Sequence, residues 1–142
     1  MSNSYSNLFI HMVFATKYRD QKIDSSIEKR VHEILKQELE KMGCVVLAIN
    51  GMPDHIHILF SSKMDLSQSD IAKQIKGASS YWINKEKLTQ ERFSWQRGFA
   101  AFSVSNHQIG TILRYIKNQK VHHSPTQEIE TEYWKKIVLK AS

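Results

Sequence analysis

The chain has 142 residues, 41% of them hydrophobic and 24% charged, a length that suits one compact domain and is too short for two ordinary ones. Twenty Lys and Arg residues against fourteen Asp and Glu residues give a formal net charge of +6, which favours an anionic partner, nucleic acid before an anionic membrane. The single cysteine, Cys44, excludes an internal disulfide, and we find no secretory leader or membrane-spanning apolar run, so we expect a cytoplasmic protein without membrane attachment.

The first third of the sequence predicts a strand followed by a helix. Residues Leu8–Thr16 alternate roughly between apolar and polar side chains, as in a half-buried strand. Ser25 and Glu28 have the spacing of a capping box, and Gly43 ends the helix that this box begins. The apolar residues at helical spacing are Ile27, Val31, Ile34, Leu35, Leu39 and Met42.

The middle of the sequence predicts a hairpin and a second helix. Val45–Ile49 and Ile56–Phe60 are short apolar runs, and Asn50–Asp54 between them include several turn formers. Ser67 and Asp70 have the spacing of a cap for the second helix. Its apolar residues are Ile71, Ile75, Ala78, Trp82 and Ile83.

The remaining elements complete the pattern of a known fold class. Phe93–Val104 predicts a long strand interrupted near Gly98, and Ser105 or Asn106 caps a third helix. The buried stripe of that helix consists of Ile109, Ile112, Leu113 and Ile116. The order of the first six elements is the split βαβ pattern of ferredoxin-like and RRM-like α+β folds, so we expect an antiparallel sheet with packed helices, followed by a C-terminal helix.

Two histidines flank one apolar residue at the start of the third predicted strand. Because side chains alternate along a strand, His55 and His57 project from one face with their backbones about 6.7 Å apart, while Ile56 faces the other side. Two imidazoles on one face can share a metal ion. They are equally compatible with polar side chains on the solvent face of a half-buried strand.

Tyr115 and Gln119 lie four residues apart on the third predicted helix. This spacing places both side chains on one helix face, at the flank of the apolar stripe, which suits a site in a cleft. An isolated tyrosine in such a position more commonly covers the edge of the core, with its hydroxyl in water.

The excess of basic residues is concentrated in the last third of the sequence. No acidic residue lies between Glu91 and Glu128, and a surface of that charge attracts a phosphate backbone. The cations in this stretch are Arg92, Arg97, Arg114, Lys117 and Lys120. Trp95, Phe99 and Phe102 are interleaved among them and either stack on unpaired bases or, as is commoner for alternating aromatics, belong to the core.

Four motifs in this order resemble one family. They are Phe-Ala-Thr-Lys-Tyr-Arg at 14–19, His-Ile-His at 55–57, Trp-Gln-Arg-Gly-Phe at 95–99 and Tyr-Ile-Lys-Asn-Gln at 115–119. At this chain length they are similar to the HUH single-tyrosine transposases of small bacterial and archaeal insertion sequences, the IS200 and IS605 group, with REP-associated tyrosine transposases as relatives. The resemblance covers roughly residues 5–133.

The resemblance implies a role for each matching residue. Tyr115 corresponds to the nucleophile that attacks DNA phosphorus and forms a 5′-phosphotyrosine, and His55, His57 and Gln119 correspond to ligands of Mg²⁺ or Mn²⁺. It further implies that residues 1–142 are one catalytic domain of a homodimeric DNA transposase that cuts and rejoins single-stranded DNA with hairpin ends. We expect the DNA to contact Lys17, Arg19, Arg97, Arg114, Lys117 and Lys120.

Two other functions fit the same residues. A non-catalytic RRM-like module would bind nucleic acid through its aromatic residues without a metal ion. A metal-dependent hydrolase would use a water molecule in place of the tyrosine. Three residues have open roles: His11 faces the same cleft or the edge of the core, Asp54 orients a histidine or only closes a turn, and His122 lines the site or ends a helix.

Overall fold

The computed structural model describes residues 7–63 and 65–120 of the chain. Its elements in chain order are β1 Asn7–Ala15, α1 Glu28–Lys41, β2 Val45–Met52, β3 His55–Lys63, α2 Gln68–Lys85, β4 Ala100–Val104 and α3 Ile109–Lys117. The strands form one sheet in the order β2-β3-β1-β4, with every neighbouring pair antiparallel. The predicted α+β fold is confirmed. No described helix is long and apolar enough to cross a membrane.

The two faces of the sheet are covered by different helices. On one face, alternate side chains of β1 and β3 form the main core against α1 and α2. These side chains are Ile10, Met12, Phe14, Ile56, Ile58 and Phe60. On the other face, α3 packs through Ile116 against Leu59 of β3 and Val104 of β4. Because His55 and His57 alternate with the core residues, they share this second face with Leu59.

The first helix does not begin as the sequence predicts. α1 starts at Glu28 without a side-chain cap, so the predicted capping box of Ser25 and Glu28 is wrong. Residues 25–27 form a turn, in which the Asp24 carboxylate accepts the N–H of Ser26 at 2.9 Å and the Asp24 carbonyl accepts the N–H of Glu28 at 3.0 Å. A charged carboxylate is a stronger acceptor than a serine hydroxyl, which explains why Asp24 organises this turn.

The second helix begins as the sequence predicts, and the third begins later than predicted. Ser67 caps α2 by accepting the N–H of Asp70 at 3.0 Å. A single 3₁₀ turn, Asn106–Gln108, precedes α3. The backbone N–H of Ser105 donates to Gln108 Oε1 at 3.3 Å, and its hydroxyl donates to the same oxygen at 2.9 Å. Ser105 therefore caps this turn, whereas α3 follows Gln108 without a side-chain cap of its own, so the prediction that Ser105 or Asn106 caps α3 directly is wrong.

The hairpin is longer and its turn tighter than predicted. Asn50–Met52 continue β2 and pair with His55–His57 of β3, so only Pro53 and Asp54 connect the two strands. The predicted turn of five residues is wrong because three of those residues complete the ladder of backbone hydrogen bonds. As a result, Asp54 lies directly beside the first residue of β3.

The predicted strand Phe93–Val104 is wrong over its first half. β4 begins only at Ala100, and before it Trp95 forms a single bridge with Thr16. Gly98, at φ +83°, turns the chain between these two extended pieces. The Trp95 ring packs edge-on against Phe14, with centroids 4.8 Å apart, and belongs to the core rather than to a base-stacking surface. Half-buried Phe99 also packs against this core, and half-buried Phe102 contacts the cluster of Val13 and Ala100.

Gly51 is the glycine at which the hairpin has no space for a side chain. A Cβ at Gly51 would overlap the backbone carbonyl oxygen of His55. We therefore expect Gly51→Ala to lower the free energy of unfolding by about 1–3 kcal/mol, as overpacking of a tight site does. Gly77→Ala is the matched control, because a Cβ added at Gly77 would have no other atom within 4 Å. Alanine there favours helix α2 by about 0.5–1 kcal/mol. Denaturant unfolding of both variants checks this, and equal stabilities would contradict it.

Candidate functional site

Three buried histidines lie together at the centre of the sheet, on the face that α3 covers. His55 and His57 come from β3 and His11 from β1, and each has 0% of its surface exposed. His11 Nε2 and His57 Nδ1 are 2.9 Å apart, and the rings of His55 and His57 have centroids 5.1 Å apart. Both predicted metal-ligand histidines are therefore in the interior and not on a solvent face, and His11 faces the same cleft.

The contact between Asp54 and His55 bears on whether Asp54 orients a histidine or only closes a turn. Asp54 both closes the hairpin and contacts the histidine, since its Oδ1 lies 2.7 Å from His55 Nδ1. Arg19 binds the other carboxylate oxygen at 2.9 Å. Burial raises the pKa of Asp54, but the hydrogen bond with His55 and the charge of Arg19 together lower it by more, so the pKa is below its ordinary value. The ionised carboxylate accepts the Nδ1–H of His55, which leaves the lone pair of that ring on Nε2.

The segment after β1 is held in a strained conformation beside this pair. Tyr18 and Arg19 have φ values of 59° and 54°, which residues with a side chain rarely adopt. Thr16 stabilises the turn, because its hydroxyl donates to the Asp20 carbonyl at 2.6 Å and its own carbonyl accepts the N–H of Arg19 at 2.9 Å. Such strain points to a functional constraint, and here it directs the Arg19 guanidinium to Asp54.

Tyr115 of α3 lies over the histidines. Its ring contacts that of His57 edge-on, with centroids 5.4 Å apart and an interplanar angle of 88°, and lies 6.1 Å from that of His11. The side chain is half-buried and the hydroxyl oxygen is buried. Tyr115 thus lies at the flank of the apolar stripe, as the sequence predicts, and is close to the predicted ligands.

Gln119 lies one turn further along, just after α3 ends. The side chain is fully buried, and its Nε2 donates to the Tyr115 carbonyl at 3.3 Å. Asn50 of β2 holds this turn, because its Nδ2 donates to the Lys117 carbonyl at 3.1 Å and its Oδ1 accepts from Lys120 Nζ at 2.8 Å. The carbonyl oxygen of Gln119 is buried and has no hydrogen-bond partner among the described residues. A buried acceptor in that state is uncommon, and this oxygen is available to a ligand.

The donor set at this face fits a divalent cation. His55, His57 and Gln119 supply two imidazole nitrogens and one amide oxygen, a mixture that Mn²⁺ accepts, and amide oxygen also suits Mg²⁺. The described residues hold no group of three or more His, Cys, Asp or Glu side chains suited to a metal ion. None of the three donor groups is a carboxylate or a thiolate, so the donor set brings no negative charge to a cation.

Burial determines the charge of His11. Desolvation, with a smaller repulsion from His57, holds the pKa of His11 well below its ordinary value, so this imidazole is neutral at pH 7. A neutral imidazole retains one acceptor nitrogen and one donor nitrogen. His11 can therefore accept a hydrogen bond from His57.

The predicted DNA-contacting cations are all exposed, but they differ in their contacts. Lys17, Arg97, Arg114 and Lys117 have exposed side chains. Arg19 is partly engaged by Asp54. Lys120 binds Glu28 at 2.7 Å and the Gly51 carbonyl at 3.1 Å in addition to Asn50, which anchors the turn that contains Gln119. His122 lies outside the described residues.

Lys76 is a structural residue whose contacts could not be inferred from sequence. Its ammonium donates to the carbonyls of Gln96 at 2.8 Å and Gly98 at 2.7 Å, one on each side of Arg97. Ser79, one turn along α2, accepts the indole N–H of Trp95 at 2.9 Å. Helix α2 is therefore joined to the 93–98 segment through Lys76 and Ser79.

The sequence matches a family described as "Transposase IS200 like" over residues 4–119. It is 30% identical over 115 residues to the ISDra2 transposase TnpA of Deinococcus radiodurans, a match that covers 77% of this chain and 81% of that protein. It is 28% identical over 133 residues to the transposase for insertion sequence element IS200 of Salmonella typhimurium, a match that covers 89% of this chain and 86% of that protein.

Two solved structures share the fold. A crystal structure from Deinococcus radiodurans that is assigned to the transposases has a TM-score of 0.68 and 26% identity, with 84% of this chain and 95% of that chain covered. A REP-associated tyrosine transposase bound to a REP hairpin has a TM-score of 0.64 and 15% identity, with 87% of this chain and 75% of that chain covered. At that identity the second likeness shows the fold alone.

The buried ammonium of Lys76 predicts a pH dependence of stability. Burial lowers its pKa from 10.5 to about 8, so between these values the unfolded chain binds a proton that the folded chain does not. The free energy of unfolding should therefore rise with pH across that window. In Lys76→Met this rise should be absent, although the variant is less stable because two carbonyls lose a donor. Urea unfolding at intervals from pH 7 to pH 10 measures both, and parallel pH profiles would contradict the assignment.

Proposed function

Because this chain belongs to the IS200-like transposase family, we propose that it cuts and rejoins single-stranded DNA with Tyr115 as the nucleophile and a divalent metal at His55, His57 and Gln119. One observation supports the proposal: the Tyr115 ring contacts His57 edge-on beside the buried His55, and buried Gln119 donates to the Tyr115 carbonyl one turn further along. A core without catalytic function would have no need for such a group of polar side chains, because burying polar groups costs free energy.

The metal-binding residues would hold the ion at the scissile phosphate. His55 and His57 would use Nε2, and Gln119 would use the carbonyl oxygen that has no partner among the described residues. Bound there, Mg²⁺ or Mn²⁺ supplies Lewis-acid activation of the phosphate and helps to hold it in line. Asp54 orients His55, and Arg19 keeps the Asp54 carboxylate in place.

Tyr115 would attack the phosphorus atom. The phenol oxygen forms a bond to phosphorus as the bond to the 3′ oxygen breaks, which gives a 5′-phosphotyrosine and a free 3′-hydroxyl after proton transfer from the phenol. Attack by another 3′-hydroxyl reverses the step and rejoins DNA without an external energy source. A phenol with a reference pKa near 10 needs activation at neutral pH, which the adjacent cation and basic side chains would supply.

Exposed cations of the chain would bind the DNA strand. We assign phosphate contacts to the exposed residues Lys17, Arg19, Arg97, Arg114, Lys117 and Lys120. Lys120 contributes less, because Glu28 and Asn50 already bind its ammonium. We further propose that residues 1–142 act as one catalytic domain, in a cytoplasmic homodimer that holds two hairpin-bearing DNA ends.

The nucleophile has a direct test. Wild-type protein, incubated with Mn²⁺ and a single-stranded oligonucleotide from the flanking genomic DNA that carries a hairpin and a cleavage site, should form a covalent protein–DNA adduct on a denaturing gel. Tyr115→Phe should form none and should still bind the oligonucleotide, because the change removes one oxygen atom. Tyr81→Phe, at an exposed tyrosine of α2, is the matched control and should retain the adduct.

The other outcomes of this experiment separate the competing functions. An adduct in Tyr115→Phe would show that another residue is the nucleophile. Metal-dependent cleavage by both proteins without an adduct would indicate a hydrolase. Metal-independent binding without cleavage by either would indicate an RRM-like binding module.

The contact between Asp54 and His55 predicts a graded effect on metal affinity. Asp54→Ala should weaken Mn²⁺ binding by about 10–100-fold, the usual range for loss of a residue that orients a metal-binding histidine. Asp54→Asn retains a carbonyl oxygen that accepts the Nδ1–H of His55, so this variant should lose less Mn²⁺ affinity than Asp54→Ala. Calorimetric titration with Mn²⁺ measures both affinities. Wild-type affinity in Asp54→Ala would show that this carboxylate only closes the turn.

The exposed guanidinium of Arg97 predicts a change in the salt dependence of DNA binding. If Arg97 neutralises one phosphate, Arg97→Ala should reduce the slope of log K against log salt by about 0.7 for single-stranded DNA. Lys36→Ala is a matched control, since Lys36 is an exposed cation on α1, away from the histidine face. Anisotropy titrations at several salt concentrations give the slopes, and equal slopes for the two variants would remove Arg97 from the DNA surface.

A further inference from the structure

His11 is a buried polar side chain to which the proposed mechanism gives no role. It lies on β1 with 0% of its surface exposed, diagonally across the strand pair from His57. Its ring lies 5.1 Å from that of His57 between centroids, and its Nε2 is 2.9 Å from His57 Nδ1. This distance is that of a hydrogen bond between two ring nitrogens.

Only one arrangement of protons in this contact allows His57 to bind a cation. A neutral imidazole carries its proton on one nitrogen and its lone pair on the other. If His57 binds a metal ion through Nε2, its Nδ1 carries the proton and donates to His11 Nε2. In the opposite arrangement His11 donates, and His57 then carries its proton on Nε2 and presents no lone pair to the ion.

We infer that His11 is a positioning residue, which accepts the Nδ1–H of His57 and thereby holds that ligand in the Nδ1–H tautomer. This inference rests on the proposed metal site. Within it, the two histidine ligands have different partners: His55 donates to the charged Asp54 carboxylate, whereas His57 donates to a neutral imidazole. A neutral acceptor orients the ring without adding a second negative charge beneath the site.

The tautomer of His57 can be measured without metal or DNA. Two-bond ¹H–¹⁵N correlation spectra of the metal-free, ¹⁵N-histidine-labelled chain distinguish a protonated Nδ1 from a protonated Nε2, and His57→Asn assigns the signal. We expect the Nδ1–H form in the wild type. In His11→Phe, which keeps a ring of similar size but has no acceptor, we expect His57 to shift to the Nε2–H form. His11→Gln places an amide oxygen near the position of Nε2 and should restore the wild-type tautomer.

Metal affinity gives the second measurement. Mn²⁺ binding, followed by calorimetry, should weaken by about 10–100-fold in His11→Phe and recover in His11→Gln. An Nε2–H tautomer of His57 in the wild type would overturn the inference, and that result does not depend on how any His11 variant folds. Equal Mn²⁺ affinity and the same His57 tautomer in His11→Phe and wild type would also overturn it.

Failure of the proposed function would look different. In that case the wild type would bind no Mn²⁺ at these residues, and His55→Ala and His57→Ala would leave weak binding unchanged. If only the inference about His11 is wrong, the wild type should bind Mn²⁺ tightly and this binding should require both β3 histidines. Substitution of His11 should then leave the Mn²⁺ affinity unchanged.

Discussion

The site depends on the cost of burying polar side chains in a protein interior. Three imidazoles and one amide are fully buried between the sheet and α3, where an unpaired polar group costs about 1–3 kcal/mol. The structure offsets this cost by pairing His11 with His57 and Asp54 with His55. Each pair fixes a ring in orientation, so the same contacts that offset the cost of burial also hold the two proposed metal ligands, His55 and His57, in place. The buried Gln119 carbonyl oxygen has no hydrogen-bond partner among the described residues and is available to a ligand.

Three local arrangements position the polar groups of the candidate site. The turn of Pro53 and Asp54 brings the carboxylate next to His55, and Gly51 allows the hairpin to close because it has no Cβ. At the same end of the sheet, the strained segment after β1 directs Arg19 to Asp54. On the other side, Asn50 links β2 to the end of α3 and so positions the turn that carries Gln119. The Arg19–Asp54 and Asn50–Lys117 contacts join parts of the chain that are distant in sequence, which explains why the site needs the complete sheet.

The sequence contains enough information for the fold class and for the residues of the candidate site. Alternation and helical spacing identify every strand and α-helix described, and the motifs at 55–57 and 115–119 identify the family. Sequence could not show that the histidines are buried, because alternation places them on one face without saying what covers it. The prediction was wrong over the first half of the long strand because Phe93 and Trp95 pack into the core from an irregular segment. Hydrogen bonds from Lys76 and to Ser79 hold that segment in place. A long-range contact of this kind leaves no local pattern.

In the proposed site, two β3 histidines and Gln119 hold a divalent cation beside Tyr115. Pulsed electron paramagnetic resonance of Mn²⁺ bound to the ¹⁵N-histidine-labelled chain tests this site most directly, because the manganese electron spin couples to the ligand nitrogens. We expect couplings to two imidazole nitrogens, one of which disappears in each of His55→Ala and His57→Ala, with both retained in Tyr115→Phe. A Mn²⁺ signal without histidine nitrogen coupling would rule out the proposed site.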